Sequence, residues 1–305
     1  MKKIKLGNSG LEVGEVSLGC MRMSSLSKDD ARHVIENAME HGIELFDHAD
    51  IYGGGESESV FADAIGMNPS VREKMILQTK CAIRKGFYDY SKEHILSSVE
   101  GSLKRLKTDY IDIFLLHRPD ALMEPEEVAE AFNELKESGK VQHFGVSNHN
   151  SMQIELLKRS LDQDLIINQM QFSLMHTPMI DAGINVNMQN EGAVMREGGI
   201  LEYSRLNNMT IQAWSPFQYG MIEGPFVGNE DYPEVNAKLQ ELAEKYSVTD
   251  SAIAITWILR HPAKIQPVVG SMNPQRMADI AKASHIELTR EEWYELYRTA
   301  GNNLP

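Results

Sequence analysis

An α/β fold arranged as a closed (β/α)8 TIM barrel, with an N-terminal hairpin ahead of it and an additional helix behind it, is predicted by three observations on this chain of 305 residues. Short apolar runs alternate with segments of helical period along nearly the whole length. The runs number eight, and such alternation over about 250 to 300 residues suits one closed barrel. The turn after the first run, CMRMSSLS, lacks the glycine-rich fingerprint usual in an open doubly wound sheet. Length alone permits two modest domains or one core burying roughly 75% of the unfolded chain's surface. The unbroken alternation leads us to expect a single domain over residues 1–305.

Each element has a local reason. Asn8-Ser9-Gly10 marks a short hairpin. EVSLGC is the first strand, and Ser27-Lys28-Asp29-Asp30 starts a helix bearing Ala31, Val34, Ile35 and Ala38 at helical spacing. IELF leads to a helix with Val60, Phe61, Ala64 and Ile65, and MILQT to one with the stripe Ile95, Val99, Leu103 and Leu106. YIDIFLL precedes the helix of Val128, Ala131, Phe132 and Leu135, and VQHFGV precedes a helix near residues 151 to 160. LIINQ, MTIQAW and KIQPVV complete the eight strands. Val235, Leu239, Leu242 and Tyr246 mark a further helix, AIAITWIL another, and Asn273-Pro274 opens a third with cap and first-turn residues in the favoured order. Trp293, Leu296, Tyr297 and Ala300 give a last helix outside the repeat. Two connections, 171 to 198 and 215 to 233, are long and rich in Gly, Pro, Asn and aromatic residues, as active-site covers are.

Composition excludes several functions. Hydrophobic residues at 42% and charged residues at 24% are ordinary for a globular protein. No apolar run reaches the roughly 20 residues that span a bilayer, and MKKIKLGNSGLEVG has no apolar stretch behind its basic start. A cytoplasmic protein without a membrane partner is expected. A formal net charge of -14 with no basic stripe argues against nucleic acid, and nothing indicates an obligate protein partner. Cys20 and Cys81 cannot build a disulfide framework and read as buried thiols. His33, His41, His94 and His261 lack metal-ligand spacing, so no metal site is expected.

The chemistry gathers at strand ends. Asp47 and Tyr52 in GIELFDHADIYGG, Lys80 in MILQTK and His117 in YIDIFLLHRPD follow three successive apolar runs. In a parallel barrel they share one mouth, where an acid, a phenol, an amine and an imidazole suit proton transfer to a substrate oxygen. A tyrosine alone is too weak an acid at neutral pH, but a nearby ammonium favours the phenolate and lowers its pKa. Asp47 would hold the amine, and His117 would polarise the reacting oxygen. The competing reading is an ion-pair network that seals the barrel. Similarly, Asn148 could cap a helix, Gln169 could satisfy a strand end, Trp214 could line the rim and Arg276 could be solvated.

With KLGNSGLEVGEVSLGC at the start and PVVGSMNPQRM near the end, the motifs FDHADIYGG, QTK and LLHRPD resemble the aldo-keto reductases, more narrowly the bacterial reductases that carry DHADIYGG. The resemblance implies a metal-free cytosolic barrel that reduces a small-molecule aldehyde or ketone with NADPH, less often NADH. It makes Tyr52 the proton donor, with Asp47, Lys80 and His117 completing the catalytic set. It also implies that Ser147, Asn148 and Gln169 hold a nicotinamide carboxamide and that Trp214 stacks on the ring, with Ser215 beside it. Gly270, Ser271 and Arg276 would receive the phosphates, Arg276 at the adenosine 2'-phosphate. Gly270 replaces a lysine of some relatives, Ile280 replaces an asparagine, and Asp279 adds an acid near the adenosine end, all of which soften the grip. NADPH is still expected over NADH. His48 replaces the common threonine and is expected to be a hydrogen-bonded histidine packed behind Asp47. Met21, Phe87, Phe217 and Tyr219 predict a substrate with an aliphatic or aromatic body. Two rivals stay open: a lyase using Lys80 as a Schiff base, and a nicotinamide-binding regulatory module without turnover.

Overall fold

The computed structural model describes residues 1–304. β1 (Lys3–Lys5) and β2 (Glu12–Gly14) pair antiparallel, with Ile4 opposite Val13. Ser9 shapes the turn between them: its hydroxyl donates to Leu6 O at 2.6 Å and accepts from Leu11 N at 3.0 Å. The barrel begins with β3 (Ser17–Gly19), α1 (Lys28–Glu40), β4 (Leu45–Asp47) and α2 (Glu56–Ile65). A short α3 (Pro69–Arg72) leads into β5 (Ile76–Cys81), after which a hairpin of β6 (Ile83–Arg84) and β7 (Phe87–Tyr88) precedes α4 (Lys92–Leu106). Then follow β8 (Ile111–Leu116), α5 (Pro125–Glu137), β9 (Val141–Ser147), α6 (Ser151–Lys158) and β10 (Leu165–Gln171). α7 (Pro178–Ile184) and α8 (Ile200–Leu206) intervene before β11 (Thr210–Trp214), and α9 (Pro233–Tyr246) and α10 (Asp250–Leu259) before β12 (Gln266–Val269). α11 (Pro274–Ala281) and α12 (Arg290–Thr299) end the fold.

Eight strands close on themselves in the order β10-β11-β12-β3-β4-β5-β8-β9, every neighbouring pair parallel. This is the predicted barrel, with its hairpin and its additional C-terminal helix. Closure leaves no exposed barrel edge and brings all eight strand C-termini to one mouth. The helices start where their caps dictate. Ser27 accepts from Asp30 N, Ser91 from His94 N, and Asn150 and Thr289 form reciprocal capping boxes with Gln153 and Glu292. Proline opens α5, α7, α9 and α11, where its missing N–H costs nothing.

Two apolar clusters fill the molecule. The larger lies between strands and helices; at its C-terminal side Trp257 and Trp293 stack with centroids 4.8 Å apart, each indole N–H donating to the other's carbonyl. The smaller contains Leu6, Val13, Leu45, Ile113, Leu115, Ile166 and Ile167, so the hairpin plugs the barrel end opposite the mouth. The two long connections are not purely irregular. The first holds α7, and α8 follows it, whereas 215 to 232 carries no helix or strand. The β6–β7 hairpin is an addition that the sequence pattern did not announce.

At the plugged end, Arg72 reaches Asp112 at 2.5 Å, Met75 O at 2.9 Å and Tyr110 O at 3.1 Å, and its guanidinium lies 3.8 Å over the Tyr110 ring. Removing the cation in Arg72→Ala would strand a buried carboxylate that also accepts from Leu77 N. We expect a loss of about 3–5 kcal/mol in urea unfolding, with the mouth unchanged in its ligand-binding behaviour.

Candidate active site

Strand register builds the mouth. Asp47 is the last residue of β4 and stands opposite Gln78, Lys80 stands opposite Leu115, and His117 directly follows β8, its N–H donating to Cys81 O at 2.9 Å. Tyr52 begins a tight turn whose Gly53, Gly54 and Gly55 all take positive φ, so the chain folds back at once and turns the phenol toward Lys80. The four predicted residues are therefore brought together. Lys80 Nζ lies 2.7 Å from the Asp47 carboxylate, donates to His48 O at 2.7 Å and reaches the Tyr52 hydroxyl at 3.5 Å. The Tyr52 and His117 rings meet edge-on, centroids 6.0 Å apart.

The protonation states follow from burial and charge. Burial acts to lower the Lys80 pKa, but Asp47 and then Tyr52 outweigh it and leave the ammonium favoured beyond its ordinary range. For Tyr52, burial raises the phenol pKa and Lys80 offsets only part of the rise. The lowered phenol pKa expected from the sequence is thus corrected: desolvation wins, and Tyr52 holds its proton at neutral pH. Burial, then Lys80 and Arg118, push the His117 imidazole well below its usual value, so it is neutral. A proton-bearing phenol, a fixed ammonium and a neutral imidazole face one space.

His48 departs from its expectation. It is fully buried with its ring edge-on to Phe61 at 4.7 Å, yet neither ring nitrogen has a hydrogen-bond partner among the described residues. Burial, helped by Lys80, lowers its pKa to about 3.

Beside this set stand the other predicted residues. Ser147 ends β9 and donates to Gln169 O at 2.8 Å; Asn148 follows at φ 61, its amide donating to Ser147 Oγ at 2.8 Å and His117 O at 3.3 Å. Trp214 Nε1 donates to Asn148 Oδ1 at 3.0 Å, and the Arg118 guanidinium lies 5.5 Å over the Trp214 ring. Gln169 points inward, donating to Asp47 at 3.0 Å and to Gln212 at 3.0 Å. Ser215 follows β11 at φ 52. Gly270 follows β12, half-buried Ser271 accepts from Asn273 N, and Asn273 caps α11 by accepting from Arg276 N at 3.0 Å. The Arg276 side chain is exposed, Asp279 pairs with Lys282 at 2.7 Å, and Ile280 turns into the core.

Three features fit a nicotinamide dinucleotide across this mouth. His117 Nδ1 is buried without a partner among the described residues. A Cβ at Gly270 would meet nothing nearer than Arg22 at 3.7 Å, which leaves open room above β12. α11 presents its N-terminus beside Arg276, a donor set suited to phosphate. Among the described residues no group of His, Cys, Asp and Glu could hold a metal ion, and no helix is long and apolar enough to cross a membrane.

Sequence reasoning missed a run of interior amides. Gln78 donates to Asp47 at 2.5 Å and to Gln212 at 2.8 Å, Gln212 to Gln266 at 2.9 Å, and Gln266 to Gly14 O at 2.7 Å. The signal was present as one glutamine interrupting each apolar run, in MILQTK, IINQ, TIQAW and KIQPVV. It also missed Tyr90, His149 and Arg118.

The model of the aldo/keto reductase family matches residues 15–299. The chain is 36% identical to the Bacillus subtilis oxidoreductase YcsN, covering 100% of both, and 34% identical to a 6-dehydroglucose reductase of Agrobacterium fabrum, covering 98% of each. An aldo-keto reductase of Klebsiella pneumoniae, solved in complex with NADPH, superposes with a TM-score of 0.78 at 23% identity, over 98% of this chain and 95% of that one.

The buried histidines make stability pH-dependent. His48 and His149, with folded pKa values of about 3 and about 4 against 6.5 unfolded, stay neutral in the fold while the unfolded chain takes up protons. Stability is full above pH 6.5 and falls as pH drops, by about 1.4 kcal/mol per pH unit for each histidine. Urea midpoints measured from pH 7 towards 4 should show this slope, and His48→Thr should reduce it by one histidine's share.

Proposed function

The chain belongs to the aldo/keto reductase family, and from that premise we propose that it reduces a small-molecule aldehyde or ketone to the alcohol, using NADPH rather than NADH. The observation that carries this reading is the Lys80 ammonium, held at 2.7 Å by Asp47 and 3.5 Å from a Tyr52 phenol that faces His117. When bound, the cofactor supplies the hydride. Tyr52 gives its proton to the carbonyl oxygen as charge develops there, and the Lys80 ammonium stabilises the phenolate left behind. Neutral His117 donates a hydrogen bond to the same oxygen and orients it. Asn148, Ser147 and Gln169 hold the carboxamide, Trp214 covers the ring beside Ser215, and Gly270, Ser271 and Arg276 receive the phosphates. Residues 1–305 act as one domain in this reading.

We propose further that the substrate has an oxygen-rich body. Phe217 and Tyr219 pack onto the core, and the Tyr219 ring lies tilted at 45° against Tyr232, so only Met21 and Phe87 of the four apolar cover residues stand exposed. Arg118, next to His117, presents a guanidinium suited to hydroxyl or carboxylate groups. The relative from Agrobacterium fabrum is named for a dehydroglucose, a compound of that type. The Lys80 lyase is disfavoured because a paired ammonium is no nucleophile.

Three measurements test this reading. A panel of sugar-derived, aliphatic and aromatic aldehydes and ketones should give loss of reduced-cofactor absorbance with NADPH, strongest for the hydroxylated compounds; no oxidation with any class would sink the enzyme assignment. Tyr52→Phe should lower kcat by about 10²–10⁴-fold with cofactor binding retained, whereas a binding module would be indifferent to it. Borohydride trapping of a carbonyl adduct on Lys80 would instead support the lyase.

A further inference from the structure

Tyr90 and His149 lie outside the chemistry just described, yet both are buried, 2% and 1% exposed, and both turn their polar atoms toward it. Tyr90 follows the β6–β7 hairpin, and His149 is the residue after Asn148. Their rings are nearly parallel, 15° apart with centroids at 6.2 Å. The Tyr90 hydroxyl donates to Arg118 O at 2.6 Å and lies 3.1 Å from His149 Nε2. On the other side of the imidazole, Nδ1 is 2.9 Å from Ser147 O.

The arrangement fixes a tautomer. A backbone carbonyl only accepts, so His149 must carry its proton on Nδ1 to serve Ser147 O. Nε2 is then bare and can only accept, and the single phenol hydrogen of Tyr90 lies between that nitrogen and Arg118 O. Shared as a three-centre bond, that one hydrogen ties together two backbones: residue 118 through the shorter 2.6 Å arm, and residue 147 through the longer 3.1 Å arm to the imidazole. Those carbonyls belong to residues immediately beside His117 and Asn148, the groups assigned above to the substrate oxygen and the carboxamide.

We propose that Tyr90 and His149 are positioning residues that lock the His117–Arg118 turn to the Ser147–Asn148 turn, and so set the distance between substrate carbonyl and nicotinamide. Other contacts on the second turn make the lock effective. Asn168 Nδ2 donates to His149 O at 2.8 Å, and Asn148 N donates to Gln169 O at 3.0 Å, so the turn cannot drift without breaking strand-anchored bonds. The Asn148 side chain spans the same gap at 3.3 Å, a weaker tie than the 2.6 Å phenol bond. Two apolar residues would fill the same volume without desolvating a hydroxyl and an imidazole, so what the polar pair adds is direction, not packing.

The proposal rests on the carbonyl-reductase reading only for the roles of His117 and Asn148, and the test separates the two. Tyr90→Phe keeps the ring and removes the hydroxyl. With NADPH and the best carbonyl substrate, kcat should fall about 10- to 100-fold, while KM and NADPH affinity, read by quenching of tryptophan fluorescence, stay near wild type. The isotope effect from deuterated NADPH should rise, because hydride transfer across a loosened gap becomes slower; a merely structural role would leave it alone. His149→Gln, which keeps a donor for Ser147 O, should recover much of the rate lost in His149→Leu. Independently of turnover, ¹⁵N NMR of the free protein should find the His149 proton on Nδ1, and Tyr90→Phe should move the signals of both His117 and Asn148. A proton on Nε2, or a Tyr90→Phe protein with unmoved His117 and Asn148 signals and unchanged kcat and isotope effect, overturns the lock. If the wild-type protein reduces no carbonyl compound, the functional reading fails while the NMR result still decides the lock.

Discussion

The Asp47 carboxylate is 2% exposed, and a charge so far from water must be matched from within the protein. Lys80 supplies the counter-charge, and Gln78 and Gln169 supply amide donors. An amide that donates to a carboxylate still has an acceptor to satisfy, so the requirement propagates. Gln212 donates to Gln78 Oε1 at 3.1 Å and accepts from Gln169, and Gln266 carries the chain to Gly14 O in the N-terminal hairpin. The interior is therefore divided. A polar upper half organises the mouth, and an apolar lower half around Leu6, Val13, Ile113 and Ile167 closes the base. Neither half stands without the hairpin, which seals one and terminates the hydrogen bonds of the other.

That division explains the electrostatics of the mouth. A buried ion pair is poor evidence for stability, since its desolvation offsets much of its attraction. Its consequence here is positional: an ammonium that cannot leave Asp47 stands beside Tyr52, already placed for the charge that would form there in the proposed proton transfer. Dipoles and charges fixed before the reaction need no reorganisation during it. The raised phenol pKa suits the proposed role of Tyr52, because a donor must hold its proton until a substrate oxygen demands it.

The fold was legible because its signal is collective. Eight runs such as YIDIFLL and VQHFGV each became a strand of the barrel, and Ser27 and Asn273 cap helices as their positions implied. The gathering of Asp47, Tyr52, Lys80 and His117 was legible for a related reason: parallel strands deliver their C-terminal residues to one mouth whatever the details between them. The protonation of Tyr52 was not, since it depends on whether burial or Lys80 dominates, a balance set by neighbours far away in sequence. His48 looked like a histidine with ordinary partners, and only the packing around Phe61 shows both nitrogens unmet. The glutamines were visible but unread, because periodicity cannot say that interruptions in MILQTK, TIQAW and KIQPVV face one another across a closed sheet.

Positive φ serves different ends at the mouth and at the base. Lys107, Asn208, Ser247 and Lys264 take positive φ where helices or helical turns end, an ordinary way to stop them. Ala82, Asn148 and Ser215 also take positive φ, at 106°, 61° and 52°, but each directly follows a barrel strand at the mouth. A non-glycine residue in that region costs of order 1–3 kcal/mol in its more strained forms, and extended chain would avoid it. The turn is kept because it redirects what comes next. After Ala82 the chain swings into the hairpin that delivers Tyr90, and at Asn148 it bends so that one side chain meets His117 O, Ser147 Oγ and Trp214 Nε1. At the mouth these three residues sit where the polar half of the barrel needs side chains to leave the alternation of the strands, whereas Asn208 and Lys264, two residues ahead of β11 and β12, only end the helical turns that lead into those strands.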